Sequence, residues 1–177
     1  MIYVFFAHGF EEIEAITPLD ILRRAELEVQ AVGVGAKTIT GSHGITVHCD
    51  ISDREATSKN LEMIVLPGGM PGTLNLEKSR VVSECIDYVA KSNIWLSAIC
   101  AAPSILGHKG LLNGKKATCF PGFEDQLEGA IYTGERVEQD GKIITGKGAG
   151  AAKLFSLKLV EVLCGKERAD ILGASLQ

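Results

Sequence analysis

The sequence predicts one α/β domain in three layers, a mainly parallel sheet covered by helices on both faces. Three observations predict it. The runs Ile2–Ala7, Met63–Leu66 and Ile94–Ile99 are apolar throughout except for Ser97 and do not alternate, as expected of strands buried on both faces. Each run stops abruptly, at His8-Gly9, at Pro67-Gly68-Gly69 and at Cys100. Segments with helical spacing lie between such runs, the order that builds a parallel sheet. At 177 residues the chain fits a single domain, residues 1–177, with no linker, repeat or low-complexity stretch. Folding at this length buries roughly 70% of the surface that the unfolded chain exposes, enough for a substantial core.

Taken in order, Ile2–Ala7 is the first strand. Thr17-Pro18-Leu19-Asp20 supplies a helix start, with a Thr cap, Pro at the first position and an acid at the third. The acidic turn Glu11–Ile16 before it can also be helical, with Pro18 as a kink. Glu28–Val34 reads as the second strand, and Gly41–Asp50 as a loop or short hairpin. After Met63–Gly69, the residues Val82, Cys85, Ile86 and Val89 follow at helical spacing behind Ser79, a capping residue. Lys116–Phe120 and Ile143–Gly146 read as further strands. A mostly apolar helix from about Ala151 to Leu163 should stop at Gly165, leaving a short helix and tail.

Composition removes several function classes. Twenty-two acidic residues against 18 basic ones give a mildly acidic chain without a like-charge block, and no nucleic-acid motif is present. No apolar stretch approaches the roughly 20 residues that cross a bilayer, and the N-terminal run is too short and too acidic for a signal peptide. Cys49, Cys85, Cys100, Cys119 and Cys164 are odd in number, widely spaced and never in a C-x-x-C pair. They read as reduced thiols of a cytoplasmic protein, with neither a disulfide framework nor a zinc site.

In a parallel sheet, ligands bind outside the carboxyl ends of the strands. His8-Gly9, Pro67-Gly68-Gly69 and Cys100 all fall there. Around Cys100 the order is strand, sharp turn, helix, with Ala98 and Ala102 on either side and Pro103 early in the helix. Two readings stay open from residue type: a buried structural thiol, or a nucleophile on a strained elbow. In the second, the helix N-terminus would favour thiolate over thiol.

Four segments in register, "AICAAP" at Ala98–Pro103, "LPGG" at Leu66–Gly69, "GFEEIE" at Gly9–Glu14 and "DILRRA" at Asp20–Ala25, resemble the ThiJ/PfpI superfamily in its DJ-one branch. The resemblance spans nearly the whole chain, including a Gly-rich segment before the last long helix. It implies a flavodoxin-like sandwich, a homodimer, and a reactive cysteine on a nucleophile elbow. On the matching positions Cys100 is the nucleophile and Glu14 the carboxyl that hydrogen-bonds it. The amides of Gly69 and Ala101 line an oxyanion site, and Gly68 shapes the turn. Elementary electrostatics adds that a thiolate and a carboxylate side by side repel. One of the two should hold a proton, which raises the Glu14 pKa and makes the titration a property of the pair.

The chain departs from the family pattern at its histidines. The PfpI peptidase branch carries His directly after the nucleophile, where this chain has Ala101. A Thr-His-Pro segment of some DJ-one members is Cys119-Phe120-Pro121 here. His108 lies about 12 Å along the helix leaving the elbow. His8 ends the first strand and could approach the site, and His43 sits in a Gly/Ser loop. A Cys–His peptidase or amidase therefore lacks its obvious base. "GKGAGA" at Gly146–Ala151 satisfies G-x-G-x-x-A, but too little chain follows for the acid-bearing strand of a dinucleotide site. It reads as a tight loop beside the pocket, and no cofactor or metal is expected.

Two functions remain. One is a cofactor-independent enzyme on small reactive aldehydes, a glutathione-independent glyoxalase, with removal of early glycation adducts from proteins by the same opening chemistry. The other is a redox sensor or chaperone-like stress protein working through Cys100 oxidation.

Overall fold

The computed structural model describes residues 1–176. Its centre is a seven-stranded sheet in the order β10-β11-β7-β6-β1-β2-β5. These strands are β1 (Ile2–Phe6), β2 (Val29–Gly33), β5 (Ile51–Ser52), β6 (Met63–Leu66), β7 (Trp95–Ile99), β10 (Val137–Asp140) and β11 (Ile143–Gly146). All neighbours are parallel except the edge hairpin β10–β11. Two small pairs lie outside the sheet: β3 (Thr38–Thr40) with β4 (Thr46–His48), and β8 (Lys116–Ala117) with β9 (Ile131–Tyr132). The hairpin thus resolves the Gly41–Asp50 segment, and the strand expected over Lys116–Phe120 shrinks to two residues. Thr118 leaves the strand direction because its amide bonds the Thr145 hydroxyl and its own hydroxyl the Glu135 carbonyl.

Pleating splits the central strands between two cores. Ile2, Val4, Phe6, Met63 and Val65 face α1 (Glu12–Arg24) and α5 (Ala152–Cys164). Tyr3, Phe5, Ile64 and Leu66 face α3 (Arg80–Lys91) and α4 (Pro103–His108). With both faces buried, no position of β1 or β6 has reason to be polar, which is why their sequences run unbroken. This is the flavodoxin-like three-layer arrangement.

Helix α1 corrects the expectation at Thr17. It begins at Glu12, its cap is Glu11, whose side chain accepts from the Glu14 amide, and Pro18 lies inside it. Pro18 has no amide to donate, so the Glu14 carbonyl loses its intrahelical partner without the helix ending. Ser79 caps α3 as expected, and Gly165, at φ +89°, stops α5. Between β6 and α3 lies a helix the sequence pattern did not reveal, α2 (Gly72–Lys78), and α6 (Lys166–Ser175) closes the chain. No helix among the described residues is long and apolar enough to cross a membrane.

The chain moves outward from β1 through β2 to β5, then returns to the other side of β1 and continues β6, β7, β11. The reversal between β1 and β6 is the topological switch point of an open α/β sheet. Helix α4 is held there by close packing: a Cβ on Gly107 would stand 2.1 Å from the Gln126 carbonyl oxygen and 2.8 Å from Leu127 backbone atoms. Gly107→Ala should therefore lower stability by about 1–3 kcal/mol, the cost of overpacking against backbone that cannot yield. Denaturant unfolding reads it as a lower midpoint, and an unchanged midpoint would mean that the turn at Glu124–Leu127 moves freely.

Candidate active site

Three loops meet at the switch point. Gly9–Glu11 follows β1, Pro67–Gly69 follows β6, and Cys100 follows β7. Backbone hydrogen bonds tie them together: the Glu11 amide to the Gly68 carbonyl at 2.9 Å and the Gly72 amide to the Gly9 carbonyl at 3.1 Å. Gly69, at φ +90°, fits because a Cβ there would lie 2.3 Å from the Glu11 nitrogen.

Cys100 has φ +66°, a left-handed conformation that a non-glycine residue adopts at a cost of about 1–3 kcal/mol. It is held by a bond from its amide to the Gly146 carbonyl and one from the Phe120 amide to its own carbonyl, both 2.9 Å. The residues around it are small by necessity. Ala98, Ala101 and Ala102 are buried, and a Cβ on Gly68 would stand 2.6 Å from both the Cys100 Cβ and Glu14 Oε2. The strand, turn and helix order is the expected elbow, with one correction. Helix α4 is six residues long and begins at Pro103, so Cys100 precedes it rather than sitting at its first turn. The amides aimed at the sulfur are those of Gly69 and Ala101.

Glu14 lies on the first turn of α1 with 1% of its surface exposed. Its Oε2 accepts from the Gly68 amide at 3.1 Å, and the Ala149 amide and the Cys100 thiol also reach the carboxyl. Burial pushes this carboxyl up to about 7; Glu11 adds to the rise, and the hydrogen bonds hold it back. Burial and the facing carboxylate push the Cys100 thiol up as well, against the pull of the two amides. The helix N-terminus therefore does not make a thiolate by itself, as the sequence suggested. Thiolate character depends on a proton held by Glu14, and the two groups titrate as a pair.

The other candidates lie elsewhere. His8 Nδ1 accepts from the Thr40 amide, His43 pairs with Glu12 at 2.8 Å, and His108 pairs with Glu77. None of the three hydrogen-bonds Cys100. Burial pushes the Cys49, Cys85 and Cys119 thiols up to about 11, while Cys164 is exposed. Glu11, Glu12 and His43 bring possible metal-ligand atoms within 4.8 Å of one another. Their atoms are already engaged, Glu11 by the Glu14 amide and Glu12 by His43 and the Ile45 amide. Sequence reasoning missed two contributors: Glu11, whose charge raises Glu14, and Ala149, whose amide reaches it. The "GKGAGA" glycines were the signal for the second. A cavity of about 630 Å³ against α5 and α6 is lined by neither Cys100 nor Glu14.

A cysteine on a left-handed elbow, paired with a buried carboxyl at the switch point of a flavodoxin-like sheet, defines an elbow-thiol α/β protein. Comparison makes it specific: residues 1–162 match the DJ-1/PfpI family, and the chain belongs to it. It is 39% identical over 166 residues to Protein DJ-1 homolog B of Arabidopsis thaliana, covering 92% of this chain and 38% of that protein. The chain spans less than half the length of that relative and of Arabidopsis DJ-1 homolog A. It is 32% identical over 164 residues to Glutathione-independent glyoxalase DJR-1.2 of Caenorhabditis elegans, covering 92% of this chain and 87% of that one. The solved structure of oxidized Toxoplasma gondii DJ-1 superposes with a TM-score of 0.95 at 35% identity, over 99% of this chain and 96% of the other.

The folded chain holds the Glu14 proton more tightly than the unfolded chain, where the carboxyl keeps its ordinary 4.5. The stability linked to this group is complete below 4.5 and is lost as pH rises toward about 7, by on the order of 3 kcal/mol. Glu14→Gln, neutral throughout, should lack that slope. Urea titrations of both proteins across this range check it, and parallel curves would mean that the carboxyl titrates normally.

Proposed function

We propose that the protein is a cofactor-independent glyoxalase that converts 2-oxoaldehydes such as methylglyoxal to 2-hydroxy acids, using Cys100 as nucleophile and Glu14 as proton relay. The observation that carries this reading is the buried Cys100–Glu14 pair, with the carboxyl raised to about 7. A carboxyl with that pKa serves as acid and as base near neutral pH.

The steps balance within the site. The sulfur attacks the aldehyde carbon, and the carbonyl oxygen takes up a proton to give a hemithioacetal. The amides of Gly69 and Ala101, aimed at the sulfur, lie close enough to stabilise the oxygen as it becomes negative. Glu14, as carboxylate, removes the proton from that carbon and returns it to the neighbouring carbon, while the hydroxyl proton of the first carbon passes to the oxygen of the second through the enediol. The first carbon is oxidised to a thioester and the second reduced to an alcohol, so no outside oxidant is needed. Water then cleaves the thioester, releases lactate and restores the thiol. The glyoxalase name of the Caenorhabditis elegans relative supports this reading. Early glycation adducts on proteins offer an equivalent carbon for the same attack, which extends the reading to deglycation.

Cys100 oxidation is the second reading. Cys100 is partly exposed beside a carboxyl that can donate a hydrogen bond and two amides that would hold a sulfinate, whereas Cys49, Cys85 and Cys119 are buried. A peptidase is disfavoured, because no histidine among the described residues hydrogen-bonds Cys100. Five free thiols suit a reducing, cytoplasmic setting. A homodimer fits the outer face of α1, where Ile13 and Ile16 are exposed together with Ile45 of the adjoining hairpin.

Lactate formation from methylglyoxal without glutathione tests the enzyme. Cys100→Ser should abolish turnover, and Glu14→Gln should lower kcat by about 10²-fold or more, the usual worth of a positioned acid–base group. Absence of lactate from the wild type, with selective peroxide oxidation of Cys100 by mass spectrometry, would move the function to redox sensing. Sedimentation of Ile13→Glu should show a monomer where the wild type is a dimer.

A further inference from the structure

Beside the reacting pair lies a cleft of about 440 Å³ that the chemistry above does not use. Its lining includes Phe120, Pro121, Arg136, Lys147, Gly148 and Ala149, and its walls are mostly apolar. The heads of the two basic residues are tied back to the backbone, and their stems line the wall. The Arg136 guanidinium donates to the Gly150 carbonyl and the Lys147 ammonium to the Gly134 carbonyl.

Phe120 dominates one wall. Its ring is 47% exposed, belongs to neither core, and follows directly from the amide that bonds the Cys100 carbonyl. Gly148 stands between the cleft and the Glu14 carboxyl. A Cβ at that glycine would lie 3.1 Å from the Phe120 ring and 3.8 Å from Glu14 Oε1. One missing side chain thus separates an apolar wall from the carboxyl.

We propose that this cleft binds the apolar tail of the carbonyl compound that Cys100 attacks, and that Phe120 sets that specificity in favour of aryl or longer alkyl groups over methyl. The proposal rests on the glyoxalase reading for its substrate class, R–CO–CHO with R apolar, and on the geometry alone for the tail site. A tail leaving the second carbon has a dry surface to cover, and the ring gives that surface a flat face for aromatic contact.

Two measurements separate the proposal from the reading beneath it. Initial rates of 2-hydroxy acid formation from phenylglyoxal and methylglyoxal should give a kcat/KM ratio of about ten or more for the wild type, mostly through KM. In Phe120→Ala the ratio should fall toward one, and in Phe120→Leu it should lie between. Independently, Cys100 should be alkylated faster by N-phenyl iodoacetamide than by iodoacetamide, each corrected for its rate with free cysteine and read by mass spectrometry of the Cys100 peptide. That preference should vanish in Phe120→Ala. A selective alkylation without turnover of either aldehyde would overturn the glyoxalase reading and support the tail site. Equal rates for both alkylating reagents in the wild type, or a preference that survives Phe120→Ala, would overturn the tail site even in an active glyoxalase.

Discussion

The contact between the Cys100 sulfur and the Glu14 carboxyl constrains everything around it. Both groups are acids and both are largely removed from water; the carboxylate disfavours ionisation of the thiol, while the thiol's hydrogen bond favours that of the carboxyl. A single proton must serve the pair. The surrounding backbone divides its donors between them, with Gly68 and Ala149 turned to the carboxyl and Gly69 and Ala101 to the sulfur. The carboxyl is the stronger acid of the two, so the shared proton rests on the sulfur, and a thiolate needs that proton to cross to Glu14.

Holding two acids this close requires backbone where side chains would ordinarily be. Gly68 lies against both groups at once, so any side chain there would push them apart. Cys100 can reach its position only in a left-handed turn, and the associated strain is offset by two backbone hydrogen bonds to neighbouring segments. Those segments are in place because β1, β6 and β7 are adjacent, parallel and buried on both faces. The stability of the layered core and the chemistry of the elbow are therefore linked through three loops, each anchored on a strand that cannot slide without turning apolar side chains to the wrong face.

What the sequence discloses follows from this same division. The strands β1, β6 and β7 are legible because burial on both faces makes them almost wholly apolar, the buried Ser97 of β7 being satisfied by the Ile64 carbonyl, and the elbow is legible because it needs small residues in a fixed order. The two-residue strands β5, β8 and β9 carry no periodicity and depend on partners far along the chain. Thr17-Pro18 imitates a helix start, but Glu11 supplies a better-placed cap almost two turns earlier, and packing of α1 on the sheet overrides the proline. The cysteine and its carboxyl partner were visible through the resemblance of their segments. The left-handed turn, the late start of α4 and the Ala149 amide were not, since each is a property of chain direction rather than residue type.

The missing histidine ties these strands of argument together. Expelling an amine from an amide needs a base that takes the thiol proton and returns it to the leaving nitrogen, work suited to imidazole. A proton moved between two adjacent carbons of a bound aldehyde needs no strong acid. It needs one group of intermediate pKa held still over both carbons, and a buried carboxyl raised to about 7 meets that need. Next to the elbow this chain has Phe120, whose side chain can neither donate nor accept a proton. On the proposed glyoxalase reading Glu14 is the proton carrier beside Cys100, and the proposed tail site uses Phe120 as an apolar wall where an imidazole would be polar.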